Sequence, residues 1–382
     1  QSRLGSVGPV IVFVGGFIGL SLAPTPVLAT LPIACMIVGI AIFMLPTVRI
    51  LARIGRRKGF LCATLYGIGN CLFAAYAVSI ESFWLFCFAV FNFGFMIAAM
   101  QQFRFAAMES VADEKASEAI SIMLVAGLLA AFLGPEVALY FKDWLGQEFV
   151  GSFIALAILF IPALALLFFY IPIIKPTNEV VGEVRDLSEI IKQPVFIAAL
   201  VGATVAFSVM SFIMTATPIS MHVHSGFDMA ETKWVIQSHI IAMYLPSFFT
   251  GKLVKKLGHA TMMYIGLFAF IGCLAVGFAD QQYVHYWWAL VLLGIGWNFM
   301  FVSATALLPQ SYRTEERFKV QGFNDLVMFS CQAIASLSAG WVIKTVGWHF
   351  MLLLCVPLLL LAAWFVYVWK SNKNESQKVK EV

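Results

Sequence analysis

Residues 51–60 read "LARIGRRKGF", a short basic stretch between two long apolar runs. Arg53, Arg56, Arg57 and Lys58 surround a single glycine, Gly55. The apolar run on either side is about 20 residues long, which is the length that an α-helix needs to cross the hydrocarbon core of a bilayer. The stretch therefore predicts a tight polar connection between two membrane-spanning helices.

The composition of the whole chain agrees with a membrane protein. Of its 382 residues, 61% are hydrophobic and 12% are charged, whereas soluble domains carry about 25% charged residues. A soluble protein this apolar would expose large sticky patches. The formal net charge is +4. Because the basic residues lie between apolar runs, they indicate orientation in a lipid bilayer and not a nucleic-acid partner.

The apolar runs predict an all-α membrane protein with twelve transmembrane helices. Backbone amides in hydrocarbon must be bonded within their own segment, and the runs are too long for the alternating strands of a membrane barrel. The predicted spans are residues 8–24, 31–51, 58–79, 82–106, 117–140, 150–174, 194–217, 232–252, 259–280, 285–308, 320–343 and 347–369.

The longest polar break, "KPTNEVVGEVRDLSEIIKQ", lies near the middle of the chain. It predicts an N-terminal six-helix half (1–174), a cytoplasmic linker (175–193), a C-terminal six-helix half (194–370) and a cytoplasmic tail (371–382). Within the linker, Val184 to Ile191 has the pattern of a short amphipathic helix on the membrane surface. The tail is polar enough to be solvated and disordered.

The basic residues also predict the orientation of the chain. With both termini in the cytoplasm, only Lys142, Lys233 and Lys344 of the 24 Lys and Arg residues face outward. Loops rich in Lys and Arg stay on the cytoplasmic side. Both termini are therefore expected inside the cell.

The basic stretch has a second copy, "GKLVKKLGHA", at residues 251–260. Corresponding residues recur 203 to 206 positions apart, in the pairs Gly55 with Gly258, Asn92 with Asn298, and Gly134 with Gly340. The repeat predicts two related, pseudo-symmetric bundles. Transporters with internal repeats bind substrate near the bilayer midplane, at the repeat interface, and open to each side in turn.

Two motifs carry a family resemblance. "RILARIGRRKG" (49–59) resembles the loop motif G-x-x-x-D-R-x-G-R-R of the major facilitator superfamily, with Ala52 at the acidic position. "GLLAAFLGPEVA" (127–138) resembles the fifth-helix motif of the superfamily's antiporters at Gly134 and Pro135.

The resemblance implies the superfamily's fold and a secondary transporter, not an enzyme, in the bacterial inner (plasma) membrane. It also implies alternating access, proton coupling, a small-molecule substrate and a monomer. Its loop motif implies that Arg53 and Arg57 join the cytoplasmic helix ends through ion pairs.

Polar side chains inside predicted spans are the candidates for substrate contact. Asn92 and Asn298 occupy matching positions on spans four and ten, which line the cavity in the superfamily. The alternative roles are hydrogen bonds between helices for the amides, packing for Trp297, and an interfacial position at the lipid headgroups for Arg104. The candidates are Asn92, Gln101, Gln102, Arg104, Trp297 and Asn298.

Ionisable groups in the spans are the candidates for proton coupling or gating, since each costs about 2.5–3.5 kcal/mol or more to insert. Asp325 is alternatively an acid at a helix start, Glu136 a loop acid and His239 a structural histidine. Glu118 and Asp325 are also candidate partners of Arg104. The coupling and gating set is Asp325, Glu118, Glu136, His239, Arg53 and Arg57.

No pattern predicts a metal or a cofactor. His222 and His224 form an H-x-H in a loop, but two ligands do not complete a metal site, and no phosphate-binding loop occurs. Three functions remain open: export of amphipathic compounds, suggested by 36 Phe residues; uptake of an anionic metabolite or an iron–siderophore-type chelate, suggested by span four; and a membrane-embedded enzyme or sensor.

Overall fold

The computed structural model of the chain describes residues 2–25, 28, 31–171, 184–221 and 225–380, and these form helices and connections with no strand. His222, His224 and most of the predicted linker lie outside the described residues. The helices are α1 (Ser2–Gly5), α2 (Val7–Leu22), α3 (Leu31–Ile54), α4 (Arg56–Ser79), α5 (Phe83–Gln101), α6 (Phe103–Glu109), α7 (Ala116–Tyr140), α8 (Val150–Phe168), α9 (Leu187–Ile190), α10 (Pro194–Ile219), α11 (Met229–Tyr244), α12 (Ser247–Leu257), α13 (His259–Ala279), α14 (Tyr283–Leu307), α15 (Arg317–Leu353) and α16 (Val356–Lys380).

Nine helical stretches in the described part of the chain are long and apolar enough to cross a membrane, against the twelve predicted spans. The first predicted span is the 16-residue α2, which is shorter than a full crossing. Span eight is divided into α11 and α12 at Pro246, which has no backbone N–H to continue a helix. The last two spans fall in one stretch, interrupted where Gly347 adopts φ 78° and ψ 176°.

Two polar segments differ from their predictions. In the described part of the linker, residues 184–193, the helix is Leu187–Ile190, whereas the pattern predicts a helix from residue 184 to residue 191. The last helix continues to Lys380, through the segment expected to be disordered. Lys, Gln and Glu are good helix formers, so α16 can extend past its apolar part without a change in backbone conformation.

Close contacts divide the chain into two compact units: Gln1–Ser110 with Val125–Lys175, and Val111–Leu124 with Pro176–Val382. The first unit has a helix crossing of α3 and α5 at Gly39 and Gly94. A Cβ added to Gly94 would lie 2.2 Å from the carbonyl carbon of Gly39, so the two backbones touch there. Phe86, Phe93 and Phe153 are completely buried in the core of this unit.

The second unit is built from α9 to α16 and the beginning of α7. Its α13 and α14 cross at Gly266 and Gly296, where an added Cβ at either glycine would lie 3.0 Å from the other's carbonyl oxygen. On α14, most residues from Gly294 to Leu307 are buried. The helix is therefore central to the unit, and it packs against α10, α11 and α13.

The two copies of the basic stretch share one backbone conformation. Gly55 joins α3 to α4 with φ 82° and ψ 159°, and Gly258 joins α12 to α13 with φ 83° and ψ 159°. Glycine adopts a positive φ without the steric cost that a Cβ imposes. The spacing of 203 residues therefore corresponds to a repeated three-dimensional turn as well as to a repeated sequence.

Candidate functional site

The basic stretch holds α4 to α6 in the first unit through Arg56. Its Nε and Nη2 donate to the two carboxylate oxygens of Glu109 at 3.1 and 2.6 Å, and Nη1 donates to the carbonyl oxygen of Gln102 at 3.2 Å. Arg56 is 4% exposed. The motif thus forms an ion pair at a helix end, but through Arg56, which the sequence analysis did not select.

The neighbouring arginines are placed differently. Arg53 is exposed, and within the described part of the chain it makes no ion pair. Arg57 is also exposed and donates to the carbonyl oxygen of Phe168 at the end of α8. Arg56 is the first residue of α4 and reaches Glu109 of α6, whereas Arg53 lies in the last turn of α3 and is exposed. The position of each arginine relative to the turn at Gly55 therefore decides which one pairs.

The polar end of predicted span four belongs to the same region. Gln102 separates α5 from α6, and the bond from Arg56 satisfies its carbonyl oxygen. Arg104 is 6% exposed, donates to Gln101 Oε1 at 3.1 Å and lies over the Phe105 ring at 4.6 Å. These contacts within the first unit hold Arg104 and Gln101 in place and favour a structural role over solute contact.

Asn92 and Asn298 both bond to neighbouring helices. Asn92 is 9% exposed, accepts from the Tyr66 hydroxyl of α4 at 2.6 Å and donates to its own Phe88 carbonyl at 2.8 Å. Asn298 is fully buried and donates to the Met243 carbonyl at 2.7 Å and to Ser247 Oγ at 2.6 Å. These bonds agree with the interhelical alternative for both amides.

The bonds of Asn298 also satisfy polar groups at the break in predicted span eight. Pro246 ends the α-helical pattern between α11 and α12, and a break in a span leaves polar groups to be satisfied. Asn298 reaches this break from α14, and its Oδ1 accepts from the Thr250 hydroxyl at 2.7 Å. Both amide N–H groups are used, so none remains for a solute in this conformation.

Three of the ionisable candidates take structural or exposed positions. Glu136 is exposed on α7. Glu118 is half-buried at the beginning of α7, where an added Cβ at Gly251 would lie 2.6 Å from its Cα atom. His239 is fully buried, and its Nδ1–H donates to the Leu290 carbonyl at 2.8 Å.

Asp325 differs from these groups. It is 0% exposed on α15, and its Oδ1 accepts from Asn324 Nδ2 at 3.0 Å. It precedes Phe329 by four residues, so at about 100° per residue the two side chains leave the helix on the same side. Asp325 is therefore a buried carboxyl beside the aromatic residues described next.

An aromatic cluster surrounds Trp297 in the second unit. The Trp297 ring stacks on Phe301 with centroids 5.0 Å apart and meets Phe207 and Tyr244 edge-on at 5.2 and 6.0 Å. Phe207 also meets Phe329 at 5.5 Å. Trp297 is 2% exposed, and its Nε1–H has no acceptor among the described residues. This aromatic cluster (Phe207, Tyr244, Trp297, Phe301 and Phe329) joins four helices.

The described end of the linker, residues 184–193, is joined to the turn before α15 by an ion pair. Arg185 Nε and Nη2 donate to the Glu316 carboxylate at 2.9 and 2.6 Å, and the Arg185 and Arg313 backbone N–H groups donate at 3.0 and 2.9 Å. The side-chain bond from Arg185, helped by the backbone N–H groups, lowers the pKa of Glu316 to about 2. Glu316 therefore stays ionised at any physiological pH.

Sequence reasoning missed Arg56, Glu316 and the members of the cluster other than Trp297. A signal for part of the cluster was present, because span seven carries Thr204, Ser208, Ser211 and Thr215 at helical spacing. These hydroxyls share a side of α10 with Phe207. In the described part of the chain, no group of His, Cys, Asp and Glu could hold a metal.

Comparison with known proteins identifies the family of the chain. The sequence profile of the Major Facilitator Superfamily matches residues 4–329 and, overlapping, 200–381. The "Riboflavin transporter RfnT" of Brucella anthropi is 36% identical over 94% of this chain and 91% of its own. The "Uncharacterized MFS-type transporter YdeG" of Bacillus subtilis is 31% identical over 87% of this chain and 81% of its own.

Solved structures show the same fold. A bacterial homologue of the iron transporter ferroportin, in its outward-facing state, superimposes with a TM-score of 0.72 at 17% identity, over 97% of this chain and 98% of that one. The resemblance predicted from the loop motif is thereby confirmed. The chain is a multi-pass membrane transporter of small molecules and belongs to the Major Facilitator Superfamily.

Proposed function

We propose that this transporter takes up riboflavin, or a closely related flavin, across the bacterial inner membrane by proton-coupled alternating access. It acts as a monomer with both termini in the cytoplasm. A small organic solute with a flat heteroaromatic ring is the substrate class. The direction is uptake, as in the second alternative from the sequence, but the substrate is a flavin and not an anionic metabolite or chelate.

The aromatic cluster is the observation that carries this proposal. Flat rings stack on aromatic side chains, and such pairs contribute about 0.5–1.5 kcal/mol each beyond their buried area. Trp297 adds an indole N–H whose acceptor is missing among the described residues, and a flavin ring carries carbonyl oxygens that accept such a bond. The 36% identity to a riboflavin transporter supports the same substrate.

Asp325 is the proposed proton carrier. It is a fully buried carboxyl on the same side of α15 as Phe329, a member of the aromatic cluster. Intramembrane carboxyls are costly and occur in proton pathways. Exchange of one proton per cycle at this position would join solute binding to the proton gradient. Glu136 is exposed and His239 is held by Leu290, so both fit this role less well.

The alternatives have less support. Uptake of an anion relied on Arg104, which is held by Gln101 and the Phe105 ring. Export of amphipathic compounds also agrees with an aromatic cluster. The direction of solute flux under an imposed proton gradient distinguishes export from uptake. The family and its relatives are transporters, so an enzyme is excluded as the function.

Riboflavin flux into proteoliposomes tests the proposal. Purified protein is reconstituted, an inward proton gradient is imposed, and internal riboflavin is measured by fluorescence. We expect accumulation that a protonophore abolishes and that Asp325→Asn reduces at least tenfold. Exchange of riboflavin between equal concentrations on both sides should survive Asp325→Asn. Absence of riboflavin flux under every gradient would overturn the proposed substrate.

Two tryptophans on α14 provide a matched pair. Trp297 belongs to the aromatic cluster, whereas Trp288 is 49% exposed. Binding is measured by the quenching of riboflavin fluorescence in detergent. Trp297→Ala should weaken binding about tenfold or more, since it removes a stacking face and a hydrogen-bond donor. Trp288→Ala should leave binding unchanged, and equal effects of the two substitutions would contradict the assignment.

A further inference from the structure

One side of α10 carries hydroxyl groups between Thr204 and Thr215. At about 100° per residue, Thr204, Phe207, Ser208, Ser211 and Thr215 fall within an arc of about 100°. Ser208 and Ser211 are 7% and 6% exposed. A row of hydroxyls in a helix with an 18-residue stretch of mean hydropathy 2.2 is unusual, because apolar packing alone does not need them.

A second row on α15 faces the first. Asp325, Phe329, Gln332 and Ser336 fall within an arc of about 60° on that helix. Three contacts join the two rows at successive turns. Phe207 meets Phe329 at 5.5 Å between ring centroids. One turn further, Gln332 Nε2 donates to Ser211 Oγ at 2.9 Å. The hydroxyls of Thr215 and Ser336 come last, 3.0 Å apart.

We call these four residues, Ser211, Thr215, Gln332 and Ser336, the polar seam. It begins one turn beyond the ring contact of the aromatic cluster and continues along the same two helix faces. Flat rings and hydrogen-bonding groups therefore follow each other within about 12 Å along α10, from Phe207 to Thr215 at 1.5 Å per residue.

The polar seam has hydrogen-bonding capacity that its internal bonds do not use. Gln332 donates through one amide N–H, so a second N–H and the carbonyl oxygen have no partner among the described residues. Thr215 and Ser336 share one bond, and each hydroxyl can make more. The buried Ser208 Oγ has no partner in the described part of the chain. Gln332 and Ser336 are half-buried, so a solute can reach them.

Unused polar capacity at this depth needs an explanation. Hydroxyl and amide groups within a span are expensive unless they are bonded to protein, water or ligand. Ser211 is buried and Gln332 is half-buried, whereas Thr215 is exposed near the end of α10. Asn298 on α14 shows the bonded case, with both N–H groups used. The polar seam, in contrast, has unused hydrogen-bonding groups and lies next to the aromatic cluster. A ligand that combines a flat ring with a hydroxylated chain would bond to the polar seam and stack on the aromatic cluster.

We propose that the polar seam binds the ribityl chain of the flavin while the aromatic cluster stacks on its ring. Ser211 and Gln332 bond to the hydroxyls nearest the ring, and Thr215 and Ser336 bond to those further along the chain. The polar seam thereby selects riboflavin over flat rings that lack a polyol chain. This inference rests on the proposed function and adds to it the residues that determine specificity.

Lumichrome, which has the flavin-type ring but no ribityl chain, tests the assignment. Dissociation constants for riboflavin and lumichrome are measured by fluorescence on purified protein. The variants are Gln332→Leu and Ser211→Ala, with Ser338→Ala as the control. Ser338 lies on the opposite side of α15 and bonds only to the carbonyl of Ala335 among the described residues. The thermal midpoint of each variant is recorded alongside.

We expect wild-type protein to prefer riboflavin to lumichrome by about tenfold or more. Gln332→Leu and Ser211→Ala should raise the riboflavin dissociation constant about tenfold, which corresponds to the loss of one good hydrogen bond. The lumichrome constant should stay within about twofold, and Ser338→Ala should match wild type. The preference for the polyol should then disappear in both seam variants.

Two kinds of failure are distinguishable. In the first, wild-type protein binds riboflavin without preferring it to lumichrome, or the seam variants raise both dissociation constants equally. Either result would show that the polar seam does not bind the ribityl chain, and it would contradict this inference while leaving the proposed function intact. If wild-type protein binds neither ligand, the proposed function falls together with it. Since two single substitutions on different helices are tested, misfolding of one variant leaves the other to decide.

Discussion

Replacing Glu316 with glutamine should destabilise the second unit although the two side chains have nearly the same shape. Glu316 lies in the turn before α15, is completely buried and receives four N–H groups. Oε1 accepts from the backbone and Nε of Arg185, and Oε2 accepts from Nη2 of Arg185 and the backbone of Arg313. Every position around the carboxylate is thus occupied by a donor.

A glutamine has one oxygen and one amino group. In either orientation, two of the four donors would face an N–H₂ and lose their acceptor. An unsatisfied buried donor costs about 1–3 kcal/mol, and Arg185 is 28% exposed, so water replaces part of the loss. We therefore expect the free energy of unfolding to fall by about 2–3 kcal/mol, or the thermal midpoint to fall by about 5–10 °C.

The neighbouring Glu315 provides the control. It is exposed and makes no ion pair within the described residues, so Glu315→Gln should change the midpoint by less than about 2 °C. Thermal unfolding in detergent compares the two variants, and a double-mutant cycle with Arg185→Ala measures the coupling of the pair. Equal midpoints for Glu316→Gln and Glu315→Gln would refute the reasoning from the four donors.

The pH dependence has a definite sign. The folded-state pKa of Glu316 is lowered from an ordinary 4.5 to about 2 by Arg185. Its contribution to stability is therefore complete above pH 4.5 and is lost as the pH falls toward 2. The difference between wild type and Glu316→Gln should stay constant from pH 7 to pH 5 and shrink below pH 4.5. A difference that grew in acid would contradict the assignment.

Three further substitutions test the fold. Gly94→Ala places a Cβ 2.2 Å from the Gly39 carbonyl carbon and should lower the thermal midpoint strongly or abolish expression, whereas Gly69→Ala enters open space on α4 and should stabilise by about 0.5–1 kcal/mol. Asn298→Ala should lower the midpoint by about 5 °C or more with riboflavin affinity unchanged, as measured by unfolding and by fluorescence. A loss of affinity at unchanged stability would restore Asn298 to the binding site.

The helices and their family were predictable because hydropathy and charge are local properties of the chain. The predicted span 117–140 corresponds to α7, Ala116–Tyr140, and 259–280 corresponds to α13, His259–Ala279. The glycine turns were predictable for a similar reason. Gly55 and Gly258 adopt the same φ and ψ because each ends one helix and begins another within a few residues.

Partners of polar side chains were not predictable, because they depend on helix phase and on the neighbouring helix. Asn92 and Asn298 are 206 positions apart and sit at equivalent places in the repeat. Asn92 nevertheless bonds to Tyr66 of α4, whereas Asn298 bonds to Ser247 and Thr250 at the break before α12. Spacing alone gave the same interpretation to two residues whose surroundings differ.

We propose that hydrogen-bond saturation distinguishes Asn298 from the polar groups of the proposed binding site. A polar side chain in an apolar bundle is retained either because it completes the backbone of a neighbour or because it meets a solute. Asn298 has both amide N–H groups bonded within the protein and belongs to the first class. The Gln332 amide on α15 and the Trp297 indole on α14 keep groups without a partner among the described residues, and the binding measurements proposed above test whether they belong to the second class. Sequence identifies both kinds as polar, and only the bonds that each group makes tell them apart.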